Sequence, residues 1–119
     1  MKIFLTGSSG FIGFHLSKKL LDKGHSVHGF DSMNSYYDVK LKKSRYKILK
    51  SYKKFFFTKG NLENKKKLSN SVLRFKPKVI IHLAAQAGVR YSIEKPQVYL
   101  DSNIIGTYNI IELAKKVSI

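Results

Sequence analysis

The chain has 119 residues, 43% of them hydrophobic, enough for one small domain with its own core and too few for two. It carries 23 Lys+Arg against 7 Asp+Glu, a formal net charge of +16, and no cysteine, which excludes disulfides, thiolate metal sites and a cysteine nucleophile. No apolar run approaches the roughly 18 residues a bilayer span needs, and the N-terminus lacks the long apolar region and small-residue cleavage site of a signal peptide. The expectation is a cytoplasmic α/β domain with no membrane contact.

The basic residues are 20 Lys and 3 Arg, with twelve of them and one acid, Glu63, between Lys40 and Lys67. Such a stripe can be the electrostatic footprint of a nucleic-acid surface. Against this, Arg, which makes bidentate contacts to phosphate and guanine, is scarce. The lysines also fall on two predicted helix faces and a loop rather than along one face. Lys over Arg, with abundant Ile, Asn, Tyr, Phe and Ser, is the composition an AT-rich genome encodes. A solvated basic surface is therefore preferred, and nucleic-acid binding stays as the less favoured alternative.

Lys2–Thr6 is a short apolar run of the kind buried parallel strands show, and it stops at Gly7. Phe11 to Lys23 reads as a helix, with Phe11, Ile12, His15, Leu16, Leu20 and Leu21 at helical spacing and Gly24 as terminator. Ser26–Phe30 is a second strand, ending at Asp31. A polar loop with two tyrosines leads to a basic helix, Val39–Leu49, whose apolar positions are Leu41, Tyr46, Ile48 and Leu49. Phe55–Phe57 is a third strand, broken by Gly60-Asn61, and Leu62–Phe75 a third helix, ended by Pro77. Val79–Leu83 is the fourth strand, Ala84–Lys95 a loop containing Gly88, and Gln97–Val117 a long helix entered through Pro96. The alternation βαβαβαβα predicts a Rossmann-like, doubly wound parallel sheet with helices on both faces.

The strongest motif is Thr6-Gly7-Ser8-Ser9-Gly10-Phe11-Ile12-Gly13, a G-x-x-G-x-x-G turn between the first strand and the first helix. A tight strand-to-helix turn needs a residue without Cβ at Gly7. Gly10 lets a pyrophosphate approach the backbone, and Gly13 lets the helix pack close to the sheet. The N–H groups of Phe11 and Ile12 then face the anion at the positive end of the helix dipole, and Ser8 and Ser9 can add hydroxyl donors. Asp31 ends the second strand, 18 residues beyond Gly13, where an acid accepts hydrogen bonds from an adenosine ribose. A carboxylate there repels a 2′-phosphate, and Ser32 in place of an arginine agrees, so NAD is favoured over NADP. A helix cap or loop aspartate is the plainer alternative.

These residues resemble a known family. T-G-S-S-G-F-I-G-F-H-L from Thr6, D-S-M-N-S-Y-Y-D from Asp31, H-L-A-A-Q-A-G-V-R-Y-S from His82 and D-S-N-I-I-G-T from Asp101 are similar to the extended short-chain dehydrogenase/reductases of the NAD-dependent epimerase/dehydratase group, most of all to the N-terminal part of the UDP-glucuronate 4-epimerases. The likeness runs from Met1 to Ile119. It implies the strand order 3-2-1-4 and an NAD-binding Rossmann domain over residues 1–119, incomplete at its C-terminus, with the substrate domain absent.

The resemblance also implies roles. Adenine and ribose would lie against Asp31, with Ser32 and Asn34 nearby. Asn61-Leu62 stands where the family normally has Asp-Leu against the adenine. Leu83, Ala84, Ala85 and Gln86 would line the nicotinamide half, and Asn103 would help hold that wall. Val89 and Arg90 would meet an acidic sugar nucleotide of the UDP-glucuronate class, an ordinary exposed arginine being the alternative for Arg90.

The family reaction is oxidation and re-reduction at sugar carbon 4 through bound NAD, with a Y-x-x-x-K pair and an upstream Ser or Thr handling the proton. In the family that machinery follows the next strand. A formal match here is Tyr36 with Lys40, in the loop beside the adenosine end, and it reads as chance. His15, His25, His28 and His82 are scattered and form no ligand set; His82 reads as a packed core residue. No catalytic residue and no metal ligand are assigned. The expectation is the NAD-binding portion of an epimerase, inactive alone and in need of a missing C-terminal chain. The alternatives are a non-catalytic dinucleotide-binding module and, less favoured, a basic nucleic-acid-binding domain.

Overall fold

Apolar strand segments set the frame, and a computed structural model describes it over residues 1–36 and 38–119. β1 (Lys2–Thr6) lies between β2 (Ser26–Asp31) and β4 (Val79–His82), and β3 (Phe55–Lys59) pairs with the far side of β2. The order is β3-β2-β1-β4, all parallel, as expected. Leu5 stands opposite Gly29 and Ile81, and Thr6 opposite Phe30 and His82, so alternate residues sort onto two faces.

One face carries Leu5 and Val27 and is covered by α1 (Phe11–Asp22) and α2 (Val39–Lys50) through Phe14, Leu21 and Leu49. The other carries Phe4 and Phe30 and is covered by α3 (Lys65–Phe75) and, near the C-terminus, α6 (Gly106–Lys116), through Leu68, Val72, Phe75, Ile110 and Leu113. Phe4, Leu5, Val27 and Phe30 are fully buried. Each contributes about 1.5–3 kcal/mol by leaving water. The chain winds outward from β1 to β3, then returns through α3 to lay β4 on the opposite side of β1. Winding therefore reverses between β1 and β4, which opens a crevice at the carboxyl ends of the strands.

Several boundaries differ from the sequence expectation. α3 begins at Lys65 rather than Leu62, because Asn64 caps it with Oδ1 accepting from Lys67 N at 3.2 Å. Leu62 stays in the preceding turn. The stretch expected as loop contains a short helix, α4 (Val89–Glu94). The expected long helix is interrupted: α5 (Pro96–Tyr99) runs into a π-helical turn, Leu100–Ile105, before α6. In α2 the inward positions are Lys42 and Leu49, seven apart, whereas the adjacent Leu41 and Ile48 are exposed. Among the described residues no helix is long and apolar enough to cross a membrane.

Candidate functional site

The crevice is an open cleft of about 510 Å³. Gly7, Gly10, Phe11, Ile12 and Gly13 form its floor at the turn; Asp31, Ser32 and Asn34 one end; Asn61 and Leu62 the far side of that end; Leu83, Ala84, Ala85 and Gln86 the other wall.

The turn is built by close approach. Gly7 has φ +78°, and a Cβ there would lie 2.9 Å from Ala84 N. A Cβ on Gly13 would lie 2.7 Å from the Gly7 carbonyl carbon, so α1 seats directly on the turn. Gly10 is different: its φ of −75° and ψ of 172° suit any residue. Its Cβ would meet the Gly7 oxygen alone, at 3.3 Å. Gly10 is also the N-cap of α1 and leaves that end without a side-chain cap. The first-turn N–H groups of Phe11 and Ile12 have no acceptor within a helix, and they open on the cleft. The side chains of Phe11 and Ile12 are 68% and 66% exposed, so these residues serve through their backbone at the cleft rather than as core.

Asp31 is fixed from both sides: Oδ2 accepts from Ser9 N at 2.9 Å and Oδ1 from Met33 N at 2.8 Å. Each oxygen keeps a lone pair for a further donor. The hydroxyls of Ser8 and Ser9 do not reach the cleft as expected. Both are buried, and neither has a hydrogen-bond partner among the described residues. Ser8 Oγ turns beneath the sheet against Gly29, where a missing Cβ makes room. Ser9 acts instead through its N–H on Asp31.

Sequence reasoning missed Lys42. It is buried, and its Nζ donates to Asn34 O and to Asn34 Oδ1, each at 2.8 Å. Burial lowers its pKa, partly offset by the Asp31 charge. Asn34 Nδ2 in turn donates to Gln86 Oε1 at 3.3 Å, joining the loops after β2 and β4 over the cleft. Arg45, also on α2, donates to Ser9 O at 3.1 Å.

The opposite wall hangs on Asn103 in the π-helical turn. Asn103 Oδ1 accepts from Gln86 N at 2.7 Å, and its Nδ2 donates to Gln86 O at 3.0 Å. Below, Thr6 Oγ1 accepts from Leu83 N and Ala84 N at 3.0 and 3.1 Å. Leu62 is held by Asn109, whose buried Nδ2 donates to Leu62 O at 2.9 Å.

Fourteen of the sixteen residues expected at the cofactor thus line one cleft. Ser9 and Asn103 stand directly behind it, each hydrogen-bonded to a lining residue. Val89 and Arg90 lie on α4, exposed and outside the lining. Tyr36, placed by sequence beside the adenosine end, crosses to the β4 side: its ring is 4.8 Å from that of Tyr91, and its hydroxyl abuts Gly88. Tyr37 lies outside the described residues. Glu63, Asp101 and Ser102 also line the cleft and were not foreseen. Chemically, the site offers an uncapped helix end for an anion and a fixed carboxylate for a hydroxyl-bearing group.

Comparison with known proteins agrees. Residues 4–119 match the family described as GDP-mannose 4,6 dehydratase. The chain belongs to this family. It is 49% identical over 118 residues to a probable UDP-glucuronate 4-epimerase of Rhizobium meliloti strain 1021, covering 99% of this chain and 35% of that protein. Among solved structures, the Bacillus cereus UDP-glucuronic acid 4-epimerase in complex with UDP-glucuronic acid and NAD superposes with a TM-score of 0.87 at 34% identity, over 97% of this chain and 36% of that one. The Thermus thermophilus UDP-glucose 4-epimerase complex with NAD gives 0.83 at 27% identity, over 100% and 35%. The chain spans about a third of the length of the relatives it matches.

Proposed function

We propose that the cleft binds NAD and that this chain is the dinucleotide-binding part of a nucleotide-sugar 4-epimerase of the UDP-glucuronate class. The observation that carries the proposal is Gly10. Its backbone does not require glycine, so the space its missing side chain leaves at an uncapped helix end fits a ligand pressed against the backbone. The pyrophosphate sits there on the N–H groups of Phe11 and Ile12. Asp31 takes the adenosine ribose and repels a 2′-phosphate. Asn61 and Leu62 face the adenine, and the small side chains of Ala84 and Ala85 leave room for the nicotinamide ring. Held by these residues, NAD would supply hydride acceptor and donor chemistry for sugar carbon 4. Arg90, exposed on the helix that follows the nicotinamide wall, is the contact for the acidic sugar. The chain spans about a third of the length of these relatives, and no conversion of UDP-glucuronate by this chain alone is expected.

Calorimetric titration tests this reading. NAD binds at one site and more tightly than NADP, and Asp31→Ala weakens NAD at least about tenfold, the worth of a charge-assisted hydrogen-bond pair. An unchanged NAD affinity in Asp31→Ala, or conversion of UDP-glucuronate to UDP-galacturonate by the wild-type chain, refutes the corresponding half.

A further inference from the structure

Beneath the cleft, four hydrogen bonds converge on two side chains and leave one arrangement of protons. Leu83 N and Ala84 N can only donate, and both donate to Thr6 Oγ1, at 3.0 and 3.1 Å. A hydroxyl oxygen has two acceptor positions, which these fill. Its single proton therefore goes to the remaining neighbour, His82 Nδ1, at 2.7 Å. Nδ1 is then an acceptor, the ring proton lies on Nε2, and Nε2 donates to Thr107 Oγ1 at 3.0 Å. Burial holds the half-buried imidazole below its ordinary pKa, which favours this neutral ring.

We propose that neutral, Nε2-protonated His82 is a positioning residue: through Thr6 it fixes the Leu83–Ala84 backbone under the nicotinamide half of the cleft, and its protonation loosens that backbone and weakens cofactor binding. The second half rests on the NAD reading above. A protonated ring would direct an Nδ1–H at an oxygen that already accepts twice. The Leu83 N–H, which also reaches Thr6 O at 3.3 Å, must then shift onto that carbonyl, or the Ala84 N–H must give up Thr6 Oγ1. The shift reaches the phosphate turn directly, because Gly7 packs against Ala84 too closely to admit a Cβ.

The surroundings of His82 contribute little charge. From β1 its neighbour is Thr6, and from α6 Thr107. The layer on this face of the sheet comes from Phe4, Phe30, Leu68, Val72, Phe75, Ile110 and Leu113, all apolar. His28 shares the face, bonded to Thr58 Oγ1 at 2.8 Å, and its pKa is pushed down to about 4. The charged groups lining the cleft are Asp31, Lys42, Glu63 and Asp101.

The test is nitrogen NMR of the chain between about pH 8 and about pH 5, the range in which histidine titrates, with NAD affinity measured in parallel. The ring of His82 should be protonated at Nε2 and bare at Nδ1 at the alkaline end. The Leu83 and Ala84 amides should titrate with it, and NAD affinity should fall by up to about tenfold per pH unit below that transition. His82→Gln keeps one acceptor for Thr6 and one donor for Thr107 but cannot titrate, so it should hold the alkaline affinity within about twofold and abolish the acid loss. A ring protonated at Nδ1, amides that ignore the ring, or an acid loss that persists in His82→Gln overturns the proposal. Coupled ring and amide titration without NAD binding at any pH confirms the positioning role and refutes the cofactor reading instead.

Discussion

Two alanine substitutions in the glycine turn separate what the fold requires from what the ligand requires. A Cβ on Gly13 would lie 2.7 Å from the Gly7 carbonyl carbon and 3.3 Å from Ser8 Cα, and closer still to the Gly7 oxygen. Carbon contacts are most favourable near about 3.5–4.0 Å, so α1 must withdraw from the turn by on the order of an ångström. The turn cannot follow, because Gly7 N is bonded to Phe30 O at 2.8 Å and Gly10 N to Gly7 O at 3.1 Å. Overpacking of this kind costs about 1–3 kcal/mol, and a backbone-on-backbone clash belongs at the upper end. A loss of about 3 kcal/mol lowers Tm by about 10–15 °C in a domain of this size. Gly10→Ala meets one atom, at 3.3 Å, and should change stability by less than about 1 kcal/mol. Its methyl nevertheless occupies the space beside the first-turn N–H groups, so NAD affinity should fall at least about tenfold, or about 1.4 kcal/mol. Circular-dichroism melts read the first effect and calorimetric titration the second. A wild-type Tm for Gly13→Ala, or wild-type NAD affinity for Gly10→Ala, refutes the reasoning.

Two further predictions concern stability. His28 ordinarily titrates at 6.5 but is pushed down to about 4 by burial, so as pH falls through this window the unfolded chain takes up a proton that the folded chain refuses. The His28 contribution is complete above the ordinary value and drains away toward about pH 4; it is on the order of 2 kcal/mol after allowance for partial solvent exposure. Urea midpoints at about pH 7 and about pH 5 should therefore converge in His28→Gln relative to wild type, and an equal drop in both proteins contradicts the assignment. Asn109→Leu leaves Leu62 O without its buried donor and should cost about 1–3 kcal/mol in a denaturant melt; a neutral result means that water replaces the amide.

The parts of the site that were legible have local requirements. Gly7 and Gly13 must lack a Cβ because a strand turns into a helix within a few residues, and Asp31 stands where a strand ends. Lys42 was not legible for the opposite reason. It sits in a basic helix where its neighbours Lys40 and Lys43 are exposed, and its burial and its contact with Asn34 distinguish it from them. The seven-residue spacing from Lys42 to the buried Leu49 was the available signal, hidden because the exposed Leu41 and Ile48 repeat at the same spacing. The Asn34–Gln86 and Gln86–Asn103 bonds join residues 52 and 17 apart and carry no period. The π-helical turn falls in a stretch whose apolar residues recur with helical spacing, so periodicity alone extends α6 backward through it. The resemblance assigned Asn103 to the nicotinamide wall; in the structure it bonds both backbone groups of Gln86.

The most direct measurement is amide chemical-shift mapping of the nitrogen-labelled chain on addition of NAD. The account predicts a saturable response at Gly10, Phe11, Ile12 and Gly13, at Asp31 and Ser32, and at Leu83 to Gln86, with no response at the lysines on the outer faces of α2 and α3. Shifts confined to those lysine faces, or no saturable shift at the turn, would contradict it.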